Sequence, residues 1–289
     1  MNDQNLIFII SQPRSGSTYL QSLLSNNLQI NTSSESWMML RLSPLLKPST
    51  VKKADYDHAM ATDAFNDYCA KFKINQLQQL KKFAFAHYSP MLEGFSLIID
   101  KTPRYWEILD ELYALFPKAR YMLLQRNPVD VVESMIKAWN LKTLNDLQYL
   151  ARDLLFAPQQ ITNFINQHKD QKNILSLSYQ DLIKNTEKIT GDLYKWVGVP
   201  FQKAFLNISN NLKVCGKYGD PYLNGQEKRN QQIAPHFQDF IQGYAHSLGS
   251  EYLQNFGLTT ENFSRTKDFE DFKKTFIKQR SLIRCRSNT

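Results

Sequence analysis

An arginine, a glycine and three hydroxyl side chains lie together in segment 13–18, which reads Pro-Arg-Ser-Gly-Ser-Thr. Backbone N–H groups at a helix N-terminus, together with the helix dipole, bind phosphate and sulfate groups. The segment keeps two residues of the pattern Gly-x-x-x-x-Gly-Lys-Ser/Thr, Gly16 and Thr18, but Ser17 replaces the lysine that reaches the β- and γ-phosphates. With Arg14, these residues predict a cradle for one short anionic group; an ordinary strand-to-helix turn is the alternative.

A second group of candidate anion-binding residues lies in segment 125–134. Pro128 is typical of the first turn of a helix, and Ser134 then lies about two turns after Arg126. An arginine and a hydroxyl at this spacing can converge on a second phosphate. The alternative is that Arg126 ends a strand and pairs with a neighbouring carboxylate.

Four short apolar segments predict strands at 6–10, 96–100, 119–124 and 173–177. Each precedes a segment with helical periodicity, the first of which is 17–26. Strands that alternate with helices predict an α/β fold with a P-loop-like central parallel sheet, flanked by helices and connected by right-handed crossovers. Both anion-binding segments would then lie at the carboxyl ends of strands, where open α/β folds bind ligands.

The stretch 35–94 has helical character, contains many aromatic residues such as Trp37 and Tyr88, and is too long for a simple crossover. It predicts a helical insertion at the carboxyl edge of the sheet, with an apolar pocket for a substrate. Aromatic residues at helical spacing can equally belong to the core alone. We expect a single domain over 1–265 that includes this insertion.

The net charge is +8, and six basic residues with no acidic residue lie from position 272 onward. The remaining charge of about +2 argues against a broad nucleic-acid surface. Residues 266–289 predict a basic amphipathic helix, since four apolar side chains fall near one helical face: Phe269, Phe272, Phe276 and Ile283. Such a helix either docks on its own domain or contacts an anionic membrane or a partner.

The three cysteines, Cys69, Cys215 and Cys285, are widely separated and include no Cys-x-x-Cys pair. Neither a disulfide framework nor a thiolate zinc site is therefore expected. The longest apolar run, 6–10, is too short for a signal-peptide core or a membrane span, so we expect a cytoplasmic protein.

The motifs "PRSGST" and "LFPKARYMLLQRNPVDVVESM" together resemble the sulfotransferases that use 3′-phosphoadenosine 5′-phosphosulfate (PAPS). The resemblance implies a first loop that binds the 5′-phosphosulfate through Arg14, Ser15, Gly16, Ser17 and Thr18. It implies a 3′-phosphate site at Arg126 and Ser134. The segment "LSLSYQDL" is similar to the Tyr-Glu-Asp-Leu region of the family, which implies that Tyr179 lies near the adenine. The resemblance covers residues 5–205 and implies no requirement for a metal.

Two further positions match the branch that includes the tyrosylprotein and bacterial sulfotransferases. The resemblance implies that Glu35 is the catalytic base and that Lys101 lies near the leaving oxygen, while Arg14 holds the sulfuryl oxygens. The alternatives are an acid at a helix N-terminus for Glu35 and a surface lysine for Lys101. His87 and His236 are second candidates for the base.

The sequence lacks the donor-side loop Arg-Lys-Gly-x-x-Gly of the cytosolic members. Segment 215–229 resembles a looser Gly-Asp-Pro loop of bacterial relatives, with Asn224 near a position where some of them carry a histidine. A histidine base from this loop is therefore not expected.

The resemblance as a whole implies transfer of a sulfuryl group from PAPS to a hydroxyl, with 3′,5′-ADP as the product. In the absence of a signal anchor, a small molecule, a lipid or an acyl chain is favoured as the acceptor over a protein tyrosine. A P-loop kinase or NTPase and a non-catalytic nucleotide-binding interaction protein are the competing interpretations.

Overall fold

The computed structural model describes residues 1–51, 54–208, 212–214 and 232–286. Its centre is a five-stranded parallel sheet in the order β2-β3-β1-β4-β5. The strands are β1 (Leu6–Ser11), β2 (Ile30–Thr32), β3 (Leu97–Lys101), β4 (Arg120–Gln125) and β5 (Ile174–Ser178). The predicted α/β fold with a central parallel sheet is confirmed.

Helices connect the strands and cover both faces of the sheet. They are α1 (Ser17–Ser25), α2 (Met38–Leu46), α3 (His58–Lys71), α4 (Gln76–Leu92), α5 (Leu109–Leu115), α6 (Pro128–Ala138), α7 (Ala151–Leu155), α8 (Ala157–Gln167), α9 (Tyr179–Lys184), α10 (Thr186–Val197), α11 (Pro235–Ser247), α12 (Gly249–Gln254) and α13 (Lys267–Arg286). A 3-10 helix over Pro103–Ile108 precedes α5.

The central strand β1 is apolar on both faces because helices pack on each of them. Alternate side chains point to opposite faces of a strand. Phe8 and Ile10 therefore pack with residues of α2, α4, α5 and α8, whereas Ile7 and Ile9 pack with residues of α1 and α10. The strand is fully buried along its whole length, which explains the uninterrupted apolar run at 6–10.

The edge strand β2 was not predicted, because its three residues are too few to show a pattern and the middle one, Asn31, is polar. It pairs with β3, with Ile30 opposite Leu97 and Thr32 opposite Ile99. Its position matters for the site, since the chain leaves β2 at the carboxyl edge and passes through Glu35 before α2 begins.

The stretch 35–94 is helical, as predicted, and comprises α2, α3 and α4. Its aromatic side chains divide into two groups. Tyr88 on α4 is buried in the core, whereas three aromatic side chains of the α3 region are exposed: Phe65, Tyr68 and Phe72. The core alternative thus applies to part of this stretch, and its role as a substrate pocket stays a prediction.

The apolar face of α13 is buried on the domain itself. Phe269, Phe272 and Phe276 join a cluster with residues of α6 and α11, and the rings of Phe272 and Phe240 lie 4.9 Å apart. These contacts favour the docked alternative for the basic amphipathic helix. In the part of the chain that the structure describes, no helix is long and apolar enough to cross a membrane.

We predict that Phe272→Ala lowers the free energy of unfolding by about 3 kcal/mol, because it leaves a cavity in the cluster shared by α11 and α13. Ile277→Ala, on the same helix at a side chain that is 65% exposed, is the matched control and should change stability by less than about 0.5 kcal/mol. Urea unfolding of both variants measures the difference. Equal stabilities would mean that α13 does not dock on the domain.

Candidate active site

The carboxyl ends of the strands bring the predicted site residues to one edge of the sheet. The two anion-binding segments leave neighbouring strands, since β1 pairs with β4. Lys101 is the last residue of β3, Glu35 follows β2 by three residues, and Tyr179 begins α9 directly after β5. Residues far apart in sequence thus meet because the sheet is parallel.

The loop between β1 and α1 has an unusual backbone. Arg14 has φ 71° and Gly16 has φ 93°, so both adopt left-handed conformations. Gly16 is the N-cap of α1, and within the described residues no side chain caps this helix end. The Ser15 hydroxyl is buried and has no hydrogen-bond partner there. A helix N-terminus with unmet donors is suited to an anion.

Tyr179 packs directly on this loop. A Cβ atom at position 16 would lie 2.2 Å from Cε2 of the Tyr179 ring, so a glycine is required there both by the contact and by its positive φ. The guanidinium of Arg126 lies 4.6 Å from the centroid of the same ring. Tyr179 therefore joins the first predicted anion-binding segment to the second.

Direct hydrogen bonds also connect the two segments. Arg126 Nη1 donates to the backbone oxygen of Arg14 at 3.1 Å, and Arg14 Nε donates to Ser134 Oγ at 3.3 Å. Arg14, predicted for the first site, thus contacts a residue of the second. Arg126 Nε is buried and has no hydrogen-bond partner among the described residues; its nearest carboxylate oxygen, Asp130 Oδ2, is 3.7 Å away. The alternative pairing of Arg126 with a carboxylate is present only at this longer distance.

Two of the three residues predicted to be catalytic, Glu35 and Lys101, form an ion pair. Lys101 Nζ lies 2.9 Å from Glu35 Oε1, with the lysine side chain 1% and the glutamate side chain 15% exposed. Lys101 is therefore not a surface lysine. Glu35 is not a helix cap either, since Trp37 is the N-cap of α2 and the Glu35 carboxylate binds Lys101 and the Trp37 indole instead.

The alternation of β3 explains how the lysine becomes buried. Lys101 lies on the same face of β3 as Leu97 and Ile99, which pack with α1 and α10. A charge that is removed from water needs a partner, because its lost hydration is expensive. Glu35 provides that partner, so the path of the chain between β2 and α2 is tied to β3.

Asp100 is a residue of the site that the sequence analysis missed. It lies on the opposite face of β3 and accepts four hydrogen bonds between 2.6 and 3.0 Å, from the hydroxyls of Tyr88, Tyr105, Ser36 and Thr102. Burial raises the pKa of the Asp100 carboxyl, although these hydrogen bonds act in the opposite direction. The signal that could have revealed it is an acidic residue directly after the apolar residues of a short buried strand.

The second candidates for the base lie elsewhere. His87 and His236 are exposed, and their ring nitrogens lie near the backbone oxygens of Phe83, at 2.9 Å, and Lys142, at 3.1 Å. The Gly-Asp-Pro loop, including Asn224, lies outside the described residues. Among the residues that are described, no group of three or more His, Cys, Asp or Glu could hold a metal ion.

The structure is an α/β fold with the predicted anion-binding residues together at the carboxyl ends of its strands. A family model described as "Sulfotransferase family" matches residues 6–203, which is more than half of the chain. The chain therefore belongs to the sulfotransferase family, as the resemblance of its motifs predicted.

Two curated relatives are similar in sequence. Nodulation protein NoeE of Sinorhizobium fredii is 32% identical over 145 residues, which are 49% of this chain and 33% of NoeE. Protein-tyrosine sulfotransferase 1 of Danio rerio is 24% identical over 235 residues, which are 80% of this chain and 62% of that protein. The chain thus spans less than two thirds of the length of either relative.

Solved structures share the fold. The sulfotransferase domain from the curacin biosynthetic pathway aligns with a TM-score of 0.56 and 20% identity, over 89% of this chain and 99% of that one. Mouse sulfotransferase SULT7A1, crystallised with PAP, aligns with a TM-score of 0.50 and 15% identity, over 87% of this chain and 84% of that one.

We predict that Gly16→Ala lowers the melting temperature more than Gly94→Ala does. Both glycines have a positive φ, but only at Gly16 would the new methyl group meet an aromatic ring; no described atom lies within 4 Å of the position at Gly94. Tyr179→Ala should relieve most of the additional loss in a double variant, because it removes the ring. Equal losses for the two glycines would contradict the close packing of Tyr179 on the loop.

Proposed function

We propose that this protein transfers the sulfuryl group of PAPS to a hydroxyl group of a small molecule, a lipid or an acyl chain, and releases 3′,5′-ADP. The convergence of Arg14, Arg126 and Ser134 carries the proposal, since it joins two anion-binding segments that are about 110 residues apart. PAPS has two anionic ends, the 5′-phosphosulfate and the 3′-phosphate. The family of the chain supports the same reaction.

The residues of the cradle fit such a donor. The Ser15 hydroxyl and Arg126 Nε are buried donors without a hydrogen-bond partner among the described residues, and a phosphate or sulfate oxygen would satisfy them. Residues 14–18 would hold the 5′-phosphosulfate. Arg126 and Ser134 would hold the 3′-phosphate, and Tyr179 would lie beside the adenine. SULT7A1, which has the same fold, was crystallised with PAP, which is another name for 3′,5′-ADP.

When bound, PAPS supplies an activated sulfuryl group. Glu35 would accept the proton that the acceptor hydroxyl loses, which is the role of a general base. Lys101 would stabilise the negative charge that grows on the leaving oxygen, and Arg14 would hold the sulfuryl oxygens. Because Lys101 is almost completely buried, its charge is screened little by water and acts strongly at short range.

The acceptor side would be formed by the chain from Glu35 through α4. The exposed aromatic residues Phe65, Tyr68 and Phe72 of the α3 region offer an apolar surface in this stretch, which supports an acceptor with an apolar part. An acyl chain or a lipid has such a part next to its hydroxyl.

We predict that 3′,5′-ADP raises the melting temperature much more than 5′-AMP does, and without added metal, because Arg126 and Ser134 need a 3′-phosphate to bind. At 100 times its dissociation constant, a ligand stabilises a protein by about 2.7 kcal/mol. Thermal-shift measurements with both nucleotides, and with ATP in the presence and absence of Mg²⁺, test the proposal.

Arg126→Ala should remove the difference between 3′,5′-ADP and 5′-AMP. Lys188→Ala, which removes an exposed basic residue on α10, is the matched control and should keep the difference. Equal shifts from the two nucleotides in the unaltered protein, or a preference for ATP with Mg²⁺, would contradict the proposed donor.

We predict that Glu35→Gln lowers turnover by at least about 100-fold while the affinity for 3′,5′-ADP stays nearly unchanged. The variant keeps the shape of the side chain but removes its basicity. Radiolabelled PAPS and a panel of phenols, sterols, long-chain alcohols and hydroxyacyl compounds measure the turnover.

Glu35→Gln also removes the negative partner of the buried Lys101, so its folding must be measured separately. Glu35→Asp retains the charge and serves as the second variant. His87→Ala and His236→Ala, at exposed histidines, should keep normal turnover. Normal turnover in Glu35→Gln, with loss of turnover in either histidine variant, would assign the base to that histidine.

A further inference from the structure

Trp37 adopts a left-handed backbone conformation, with φ 54° and ψ 9°, directly before α2. This conformation is costly for a bulky residue and persists only where its surroundings hold it. The Trp37 backbone N–H donates to Thr102 Oγ1 at 3.4 Å, and its indole Nε1 donates to Glu35 Oε2 at 3.1 Å. The guanidinium of Arg104 lies 5.2 Å from the ring centroid. Trp37 is therefore held at its backbone N–H, at its indole N–H and at the face of its ring.

Arg104 is itself fixed by a buried carboxylate. Its Nε and Nη2 donate to the two oxygens of Asp153 at distances between 2.7 and 3.0 Å, and the Asp153 side chain is almost completely buried. The Trp106 indole donates to the same carboxylate at 3.3 Å. A guanidinium in this paired geometry cannot rotate freely, so its flat face stays against the Trp37 ring.

Asp153 also contacts the loop that follows β1. Gln12 Nε2 donates to the backbone oxygen of Asp153 at 3.0 Å. One residue thus holds Arg104 through its side chain and the proposed donor loop through its backbone. Trp37 is therefore connected to that loop through Arg104 and Asp153.

We propose that Trp37, fixed by Arg104 and Asp153, is a positioning residue that orients the Glu35 carboxylate for the reaction. The indole N–H holds Oε2 while Lys101 holds Oε1, so the plane of the carboxylate is set from both sides. Each carboxylate oxygen keeps a second lone pair that can receive a proton. The proposal rests on the proposed function, in which Glu35 is the base.

The test begins with Trp37→Phe, which keeps an aromatic ring beneath Arg104 but removes the indole N–H. With radiolabelled PAPS and the panel hydroxyl that the unaltered protein sulfates fastest, we expect kcat to fall about tenfold. The KM for PAPS and the affinity for 3′,5′-ADP should not change. Trp196→Phe is the matched control, because Trp196, on α10, also has an indole N–H that donates a hydrogen bond, to the backbone oxygen of Lys172 at 3.0 Å.

A double variant separates positioning from a general structural role. If Trp37 acts through Glu35, Trp37→Phe has no further effect on kcat in the Glu35→Gln background. The same tenfold loss in both backgrounds would overturn the proposal, and so would normal kcat in Trp37→Phe.

The indole N–H signals of the four tryptophans give a readout that does not depend on turnover or on the folding of Trp37→Phe. In the NMR spectrum, Glu35→Gln should move the Trp37 signal more than the signals of Trp139 and Trp196. Arg104→Lys, which keeps the charge but loses the planar contact, should move the Trp37 signal and lower kcat. An unmoved Trp37 signal in both variants would overturn the proposal.

The same measurements distinguish failure of the proposed function from failure of the positioning proposal. An unaltered protein that sulfates no panel hydroxyl and does not bind 3′,5′-ADP contradicts the proposed function, and the positioning proposal falls with it. An active protein with an unaffected Trp37→Phe variant contradicts the positioning proposal alone.

Discussion

The ammonium group of Lys101 is buried, so its charge requires a partner, and the candidate site is built around that partner, Glu35. Removing an ammonium group from water costs several kcal/mol even after the protein relaxes. The Glu35 carboxylate at 2.9 Å offsets this cost, and it must therefore come to the end of β3. The pairing of the short strand β2 with β3 brings the chain there. Ser36, the residue after Glu35, is held by the hydrogen bond that its hydroxyl donates to Asp100. The ion pair, the pairing of β2 with β3 and this hydrogen bond together fix the path of the chain between β2 and α2.

The proposed donor side of the site depends on the order of the strands. Because β4 lies beside β1, the segments that follow these two strands meet, and Arg126 reaches the backbone of Arg14. Tyr179 reaches the same loop from the end of β5, on the other side of β4. Positioning and electrostatic stabilisation dominate the catalysis of group transfer through loose transition states. In the proposed function, the sheet provides the positioning and the electrostatic stabilisation, because cationic and hydroxyl side chains that follow several strands lie together at its carboxyl edge.

The sequence predicted those strands, turns and helix ends that depend on residues close together in the chain. The apolar run of β1, the turn at Gly16 and Pro128 at the start of α6 each appear in the structure close to the predicted place. Contacts between distant segments could not be predicted in this way. The partners of Asp100 and Asp153 come from other elements, and the strand β2 exists through its pairing with β3. Resemblance to the family pointed to Glu35 and Lys101, but only the structure brings them together as a pair.

A crystal structure of the protein with PAP would show whether one nucleotide spans both of the proposed anion-binding segments. We expect the 3′-phosphate against Arg126 and Ser134, the 5′-phosphate against the backbone N–H groups of residues 14–18, and the adenine beside Tyr179. The side of the 5′-phosphate from which the sulfuryl group departs should face Lys101 and Glu35. A nucleotide bound elsewhere, or bound with its two phosphates exchanged between the segments, would rule out the proposed donor site.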